Sequence, residues 1–414
     1  MDNEHEIMTE PTCPPLVATF AAERYAATAP LDDLIAPPYD VISAARRGEL
    51  AARDRHNIVH LILPDGNGDR YARAASLLSQ WRQEGVLLRD DRAGVYVIRQ
   101  TFSTPDGRQL RRTGVVAGVH VEPYGAGRVK PHEKTHAGPK EDRLALSCAT
   151  GAMLESIFML ARDEAGSLVQ RLAAVTAGVP TATASLDAVD ITCWRVTGPD
   201  AVGIAAAAAQ GALYIADGHH RFETANAYRA INPSATRVPT LIVPIADPGL
   251  VVLPTHRVLH GRSSETAGLQ RQWRAGFAVE PHDVNTDPHH LLRALPDRGT
   301  GCVVVLPDRS LLLVARDTTD EPAIARLERD VVQPLVREIA EGSLGYTADA
   351  AELVASVRGG GAAAGVLVGP TPVEQVLAVS DAGGIMPPKS TFFAPKVPGG
   401  FVFMAYDSPN EVTV

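Results

Sequence analysis

Cysteine is scarce in this chain: Cys13, Cys148, Cys193 and Cys302 are the four among 414 residues. None stands in C-x-x-C spacing, which argues against a zinc or disulfide framework and for reduced, structural thiols. An excess of positive charge is also lacking. The formal net charge is -9 and the pI is near 5.8, which speaks against a general nucleic-acid or anionic-membrane surface and leaves only local basic sites open. No apolar run is long enough to span a bilayer. The Ala-rich AVGIAAAAAQGALYIA is interrupted by Gln210 and Gly211 and reads as helix, turn and strand. The opening MDNEHEIMTEPTCPP is polar and acidic where a signal peptide needs a basic end and an apolar stretch, so a disordered tail over 1–15 and a soluble, cytoplasmic protein are expected.

Familiar nucleotide and hydrolase signatures are missing as well. Neither GAGRVK nor DGNGDR completes G-x-G-x-x-G, and there is no G-x-S-x-G. GGIMPPKST has Gly383 and Lys389-Ser390 where a P-loop would, but Pro388 takes the glycine position and removes a needed N–H.

What is present is a globular composition, 45% hydrophobic, in a chain long enough for two or three domains. Strand-like runs such as VYVIRQTF (95–102), VVAGVHV (115–121), ALYIA (212–216), PTLIVPIA (239–246) and CVVVLP (302–307) alternate with helical patterns at 71–85, 322–342 and 350–360. The pattern predicts a mixed α/β fold without internal repeats. A turn-rich break near 260–266 suggests a catalytic region over 16–262 and a C-terminal αβ region over 263–414, whose Pro-rich closing segment packs back on the body.

Chemistry concentrates in a few stretches. PHEKTHAGPKEDR contains H-E-x-x-H, at His132, Glu133 and His136. On a helix this spacing would place two zinc ligands on one face, with Glu133 polarising a metal-bound water and Glu155 available as a third ligand. Its borders, Pro131 before and Gly138-Pro139 after, are poor for such a helix. Read by charge, Arg128, Lys130, Lys134, Lys140 and Arg143 could hold phosphate while a carboxylate accepts a substrate proton; the bland reading is a solvated loop with a helix starting near Pro139. In ALYIADGHHRFETANAYR a strand runs through Asp217-Gly218 into a helix whose first residues are His219, His220 and Arg221. That makes a ready anion site, with Asp217 free to cap the helix, hold a metal or orient a histidine, against the alternative of a capped helix with surface histidines. Thr255, His256 and Arg257 repeat the hydroxyl, imidazole and guanidinium set after a strand-like run, where an exposed strand end is equally plausible. In APPYDVIS, a turn presents Tyr39 and Asp40, and Ser43 suits a helix N-cap.

Taken in order, APPYDVIS, HEKTHAGPKEDRL, YIADGHHRFETA, LPTHRVL and MPPKSTFFAPK resemble the bacterial and archaeal family catalogued as domain of unknown function 1015, from about residue 15 onward. The ADGHHR segment is also similar to the D-G-H-H-R motif of free serine kinases built on the ParB/sulfiredoxin fold. That resemblance implies a ParB/sulfiredoxin-like core elaborated with further αβ segments, and nucleotide-phosphate roles for Asp217, Gly218, His219, His220 and Arg221. It does not fix the base; Glu133 is chosen from its charged surroundings, with Glu223 and Asp142 as rivals.

The expectation is therefore a magnesium-assisted phosphotransferase using ATP or ADP on the hydroxyl of a free amino acid, L-serine first. Glu133, Asp217 and His220 would be catalytic, with Asp217 the metal ligand. Lys134, Lys140, Arg143, Gly218, His219, His220, Arg221, Thr255, His256 and Arg257 would bind the nucleotide, and Tyr39, Asp40, His132 and His136 the substrate. A zinc hydrolase working through HEKTH and a nucleotide-binding regulatory protein are the alternatives.

Overall fold

The runs rich in Val, Ile and Leu form strands and the segments of helical period form helices, giving a mixed α/β architecture. The computed structural model describes residues 13–26, 30–66, 69–135, 137–261, 267–295, 299–339 and 343–406. It divides into one unit of Met1–Pro131, Thr135–Leu250 and Pro395–Val414, and a second of His132–Lys134 and Val251–Ala394. Residues 262–266 of the turn-rich break lie outside the described residues. Of the tail expected over 1–15, residues 1–12 lie outside the described residues, whereas the carbonyls of Pro14 and Pro15 accept bonds from Arg128 and Arg237.

The first unit is built on one large sheet. Its strands are Val17–Ala18 (β1), Gly94–Ser103 (β2), Gln109–His120 (β3), Val129–Lys130 (β4), Ile157–Ala161 (β5), Ala182–Leu186 (β6), Val189–Thr197 (β7), Leu213–Asp217 (β8) and Arg237–Pro244 (β9). They pair in the order β4, β8, β5, β9, β3, β2, β7, β6, with β1 on β3. The β4/β8 and β5/β9 pairs are parallel and the others antiparallel. The central strands are apolar on both faces because both are covered. On one face Val97, Val115, Ile157, Met159, Leu213 and Ile215 pack with Leu172, Ile204 and Phe222 from helices. A second cluster joins Leu78 and Trp81 of helix Arg70–Gln83 (α1) to Leu146 of helix Ala137–Thr150 (α2) and to Phe403.

Two breaks matter for the site. The stretch LALSCATGAMLESIF, which carries Glu155, is helical only to Thr150. Gly151 (φ +62°) ends it, and Ala152–Met153 pairs instead with Met404–Ala405 of the closing segment. The predicted AVGIAAAAAQGALYIA is helix Gly198–Ala208 (α3), a turn and β8. From β8 the chain enters helix His219–Ile231 (α4) through Gly218, whose φ of +94° is left-handed and suits glycine.

The second unit has its own six-stranded sheet: His256–Leu259 (β10), Phe277–Asp283 (β11), Gly301–Val305 (β12), Arg309–Ala315 (β13), Leu344–Thr347 (β14) and Ala364–Val368 (β15), in the order β11, β13, β12, β15, β10, β14. The helical pattern at 322–342 is interrupted there by a π turn at Glu328–Val332, between Ala323–Leu327 and Gln333–Glu338. Pro334 lacks the N–H that would continue an ordinary α-helical ladder. Among the described residues, no helix is long and apolar enough to cross a membrane.

Candidate functional site

Asp217 ends β8, with Gly218 alone between it and the first residue of α4, and it does not cap that helix. Its Oδ2 accepts from Arg221 Nη2 at 2.6 Å and its Oδ1 from Lys396 Nζ at 2.5 Å. Burial alone would raise its pKa; Lys396 and Arg221 outweigh burial and hold the carboxyl well below the ordinary carboxylate range. Gly218 at the N-cap carries no capping side chain, and the positive end of the helix dipole of α4 lies at this turn, where negative charge is favoured. His219 is buried and His220 half-buried at that same turn. A Cβ on Gly218 would stand 3.0 Å from Arg221 Nε, so close packing of the guanidinium also selects glycine here.

Arg221 is buried and reaches further. Its Nη1 donates to the carbonyl of Ser156, and the charges of Asp217, Glu155 and Asp40 hold it ionised against the cost of burial. Glu155, in the segment before β5, accepts from the backbone N–H of Tyr39 at 2.9 Å and lies 3.7 Å from Arg143 Nη1. Burial pushes its carboxyl up, against the opposing pull of Arg221 and Arg143. Arg143, on α2, lies over the ring of Tyr39 at 4.2 Å, donates through Nε to Asp142 at 2.9 Å, and donates to the Ile62 carbonyl at 2.6 Å. Asp142 also accepts from Tyr71 at 2.8 Å. Tyr39, Asp40, Arg143, Asp217 and Arg221 are therefore one constellation of the first unit, to which the structure adds Glu155 and Lys396.

Lys140 belongs to the same unit but a different contact. It and the Thr135 hydroxyl both donate to Glu223 Oε2, at 2.8 and 2.7 Å. Arg128, at the start of the basic stretch, is committed to Glu122, and Lys130 lies over the Tyr214 ring at 5.7 Å. Arg143, engaged on all sides, holds other groups in place instead of lining an open phosphate surface.

The second unit gathers another pair of motifs. His132 Nε2 hydrogen-bonds the Thr391 hydroxyl at 3.0 Å, the His132 carbonyl accepts from Met386 N at 2.8 Å, and Glu133 Oε1 accepts from Lys389 N at 3.3 Å. Lys389 has a φ of +56°, rare for a residue with a Cβ. Lys134 is exposed. His132, Glu133 and Lys134 are not helical, since α2 begins only at Ala137. The one-face helical geometry of a zinc protease is thus not formed at these residues; His136 lies outside the described residues. Among the described residues there is no group of three His, Cys, Asp or Glu side chains suited to a metal.

Thr255, His256 and Arg257 are not an exposed strand end. All three are buried. His256 Nδ1 accepts from Val368 N at 3.2 Å, and burial lowers its pKa to about 4, which keeps the ring neutral. Arg257 bonds Glu328, the first residue of the π turn, at 3.2 Å and lies 5.6 Å from the Tyr346 ring. His256 and Arg257 are held within the second unit, while the Thr255 hydroxyl and Arg257 Nη2 are buried without a hydrogen-bond partner.

Lys396 could be found in the sequence only as one of two lysines in a Pro-rich tail, with nothing local to tie it to Asp217. Glu155 carried a signal, as a carboxylate in an apolar run, but the reading as a zinc ligand gave it the wrong neighbours.

Solved structures similar to this chain include a free serine kinase variant in complex with AMP, 12% identical, covering 72% of this chain and 94% of that one with a TM-score of 0.41. Another free serine kinase variant, in complex with ADP, is 14% identical, with 72% and 94% covered and a TM-score of 0.40. A conserved hypothetical protein from Pyrococcus furiosus is 14% identical, with 72% and 97% covered and a TM-score of 0.38. No curated protein matches the chain. The model of the family described as protein of unknown function (DUF1015) matches residues 17–333, and the chain belongs to that family.

Proposed function

We propose that this protein is a phosphotransferase that moves the terminal phosphoryl group of ATP or ADP to the hydroxyl of a free amino acid, L-serine first. The observation that carries this reading is the N-terminus of α4, entered through a left-handed glycine, beside an Asp217 paired with Lys396 and Arg221. A helix entered through Gly218, with His219 and His220 in its first turn, is suited to anionic oxygens. The resemblance of ADGHHR to the free serine kinase motif points to the same chemistry.

In this reading the N–H groups of the first turn, with His219 and His220, hold phosphate oxygens. Lys396 and Arg221 fix Asp217 so that the turn keeps its shape. Glu133 takes the proton from the substrate hydroxyl as that oxygen bonds to the terminal phosphorus and the bridging P–O bond breaks, releasing the shortened nucleotide. Phosphate charge is neutralised in part by Mg²⁺ when it is bound. Asp217 fits a direct metal role only by giving up Lys396 or Arg221, since both of its oxygens are paired; a magnesium held chiefly by phosphate oxygens and water suits this donor set better.

The test is incubation of purified protein with ATP or ADP, Mg²⁺ and a panel of hydroxy amino acids, with products read by mass spectrometry. Phosphoserine is the expected product. Nucleotide binding without any phosphorylated acceptor would replace this reading by that of a regulatory nucleotide-binding protein.

A further inference from the structure

Gln100 on β2 and Arg112 on β3 stand directly opposite each other in the large sheet, and each is only 1% exposed. An amide and a guanidinium among apolar strands are costly to bury. Burial pushes the Arg112 pKa down to about 9, against the favourable charges of Asp247 and Asp217. Packing alone gives no reason to keep such a pair in a sheet core.

The hydrogen bonds of the pair give one. The Gln100 amide is used at both ends: its Oε1 accepts from Arg112 Nη2, and its Nε2 donates to the Lys396 carbonyl at 2.9 Å. Arg112 Nη2 also donates to the Pro395 carbonyl at 2.5 Å. Two consecutive carbonyls of the closing segment are thereby tied to the sheet, at the very residue whose ammonium meets Asp217. The carboxylate belongs to the same frame. The Arg112 guanidinium lies 4.5 Å from the Phe158 ring, and Phe158 is the partner of Asp217 across β5 and β8. A lysine stem is long and flexible, so its reach to one chosen oxygen depends on where its backbone is held.

We infer that Gln100 and Arg112 are positioning residues of the candidate site: they clamp the Pro395 and Lys396 carbonyls so that the Lys396 ammonium is delivered to Asp217 at the turn into α4. The inference rests on the phosphotransferase reading for what that turn binds, while the clamp itself stands on these hydrogen bonds. A strap that merely held the closing segment down would act whether or not residue 396 carried an ammonium. A positioning clamp acts only through it.

The test is a double-mutant cycle on the full chain, with wild type, Lys396→Met, Gln100→Met and the double variant each followed by urea denaturation and by calorimetric titration with ADP. Gln100→Met keeps the side-chain volume and removes both bonds without deleting a buried charge. Each single substitution is expected to weaken ADP by about tenfold. The double variant should bind within about twofold of the weaker single, and its loss of stability should fall short of the sum of the two. Gln100→Glu, which keeps the acceptor for Arg112 and replaces only the donor to Lys396, should behave as Gln100→Met does. Effects that add, Gln100 variants that match a nucleotide-binding wild type in ADP affinity, or failure of both Gln100 variants to fold would overturn the inference and leave a structural strap. A wild type that binds no ADP, with stability effects that do not add, would keep the clamp and remove the phosphotransferase reading. Phosphoserine formation with effects that add would do the reverse.

Discussion

Lys396 Nζ sits 2.5 Å from Asp217 Oδ1, although the two residues are 179 positions apart. The closing segment thereby supplies one of two cations that keep the β8-to-α4 turn charged and fixed, with Arg221 supplying the other from within the helix. Both partners are largely buried, so removing one leaves a carboxylate that water cannot readily solvate.

Lys396→Met should therefore destabilise the protein by about 3 kcal/mol, toward the lower end for breaking a buried pair. Urea denaturation at neutral pH measures this. The acid limb should change too. The folded-state pKa of Asp217 lies below its unfolded value, so its contribution is complete above about pH 4 and is lost as pH falls toward the folded pKa. The variant, with a less depressed Asp217, should show a shallower loss of stability between about pH 4 and pH 2 than the wild type.

Glu155 runs the other way. Its pKa is raised by folding, so ionising it opposes the folded state, and stability falls as pH rises through the folded value from about 4.3, the unfolded one. Glu155→Gln should remove that slope, and its stability above pH 5 should equal or exceed the wild type's when the two are compared across pH by chemical denaturation.

Gly218→Ala places a Cβ in a left-handed backbone and 3.0 Å from Arg221 Nε. A loss of about 1–2 kcal/mol in stability is expected from the backbone alone. Displacement of Arg221 should also weaken nucleotide binding, measurable by calorimetry on the folded variant.

Glu223 was a rival for the base. It accepts from both Thr135 and Lys140, which is the geometry of a group that steadies the loop after Glu133. Glu223→Gln should keep phosphoryl transfer within about tenfold of the wild type, whereas loss of a general base costs about 10²-fold to 10⁴-fold. Steady-state rates with L-serine separate the two.

How much of this was legible in the sequence follows from the range of each interaction. The strand, glycine and helix through ALYIADGHHRF are set by local patterning, and β8, Gly218 and α4 follow it closely. The same holds for the apolar runs that became β2, β3, β9 and β12. What was not legible depends on distant partners. Nothing near Lys396 announces Asp217, and nothing in LALSCATGAMLESIF shows that Met404–Ala405 will pair with Ala152–Met153 and turn an apparent helix into a helix and a strand. His256 and Arg257 read as reactive surface groups because sequence gives residue types without burial; the sheet of the second unit encloses them. The H-E-x-x-H spacing misleads for a related reason: spacing means one helical face only where a helix exists, and none is present at His132–Thr135.

The central claim is transfer of phosphate to an amino-acid hydroxyl with Glu133 as proton acceptor. Its most direct measurement is formation of O-phosphoserine from L-serine with ATP or ADP and Mg²⁺, comparing wild type with Glu133→Gln by mass spectrometry and nucleotide affinity by calorimetry. The account predicts phosphoserine from the wild type, and a variant at least about 10²-fold slower with nucleotide affinity unchanged. Absence of phosphoserine with either nucleotide, or a variant that transfers as fast as the wild type, would contradict it.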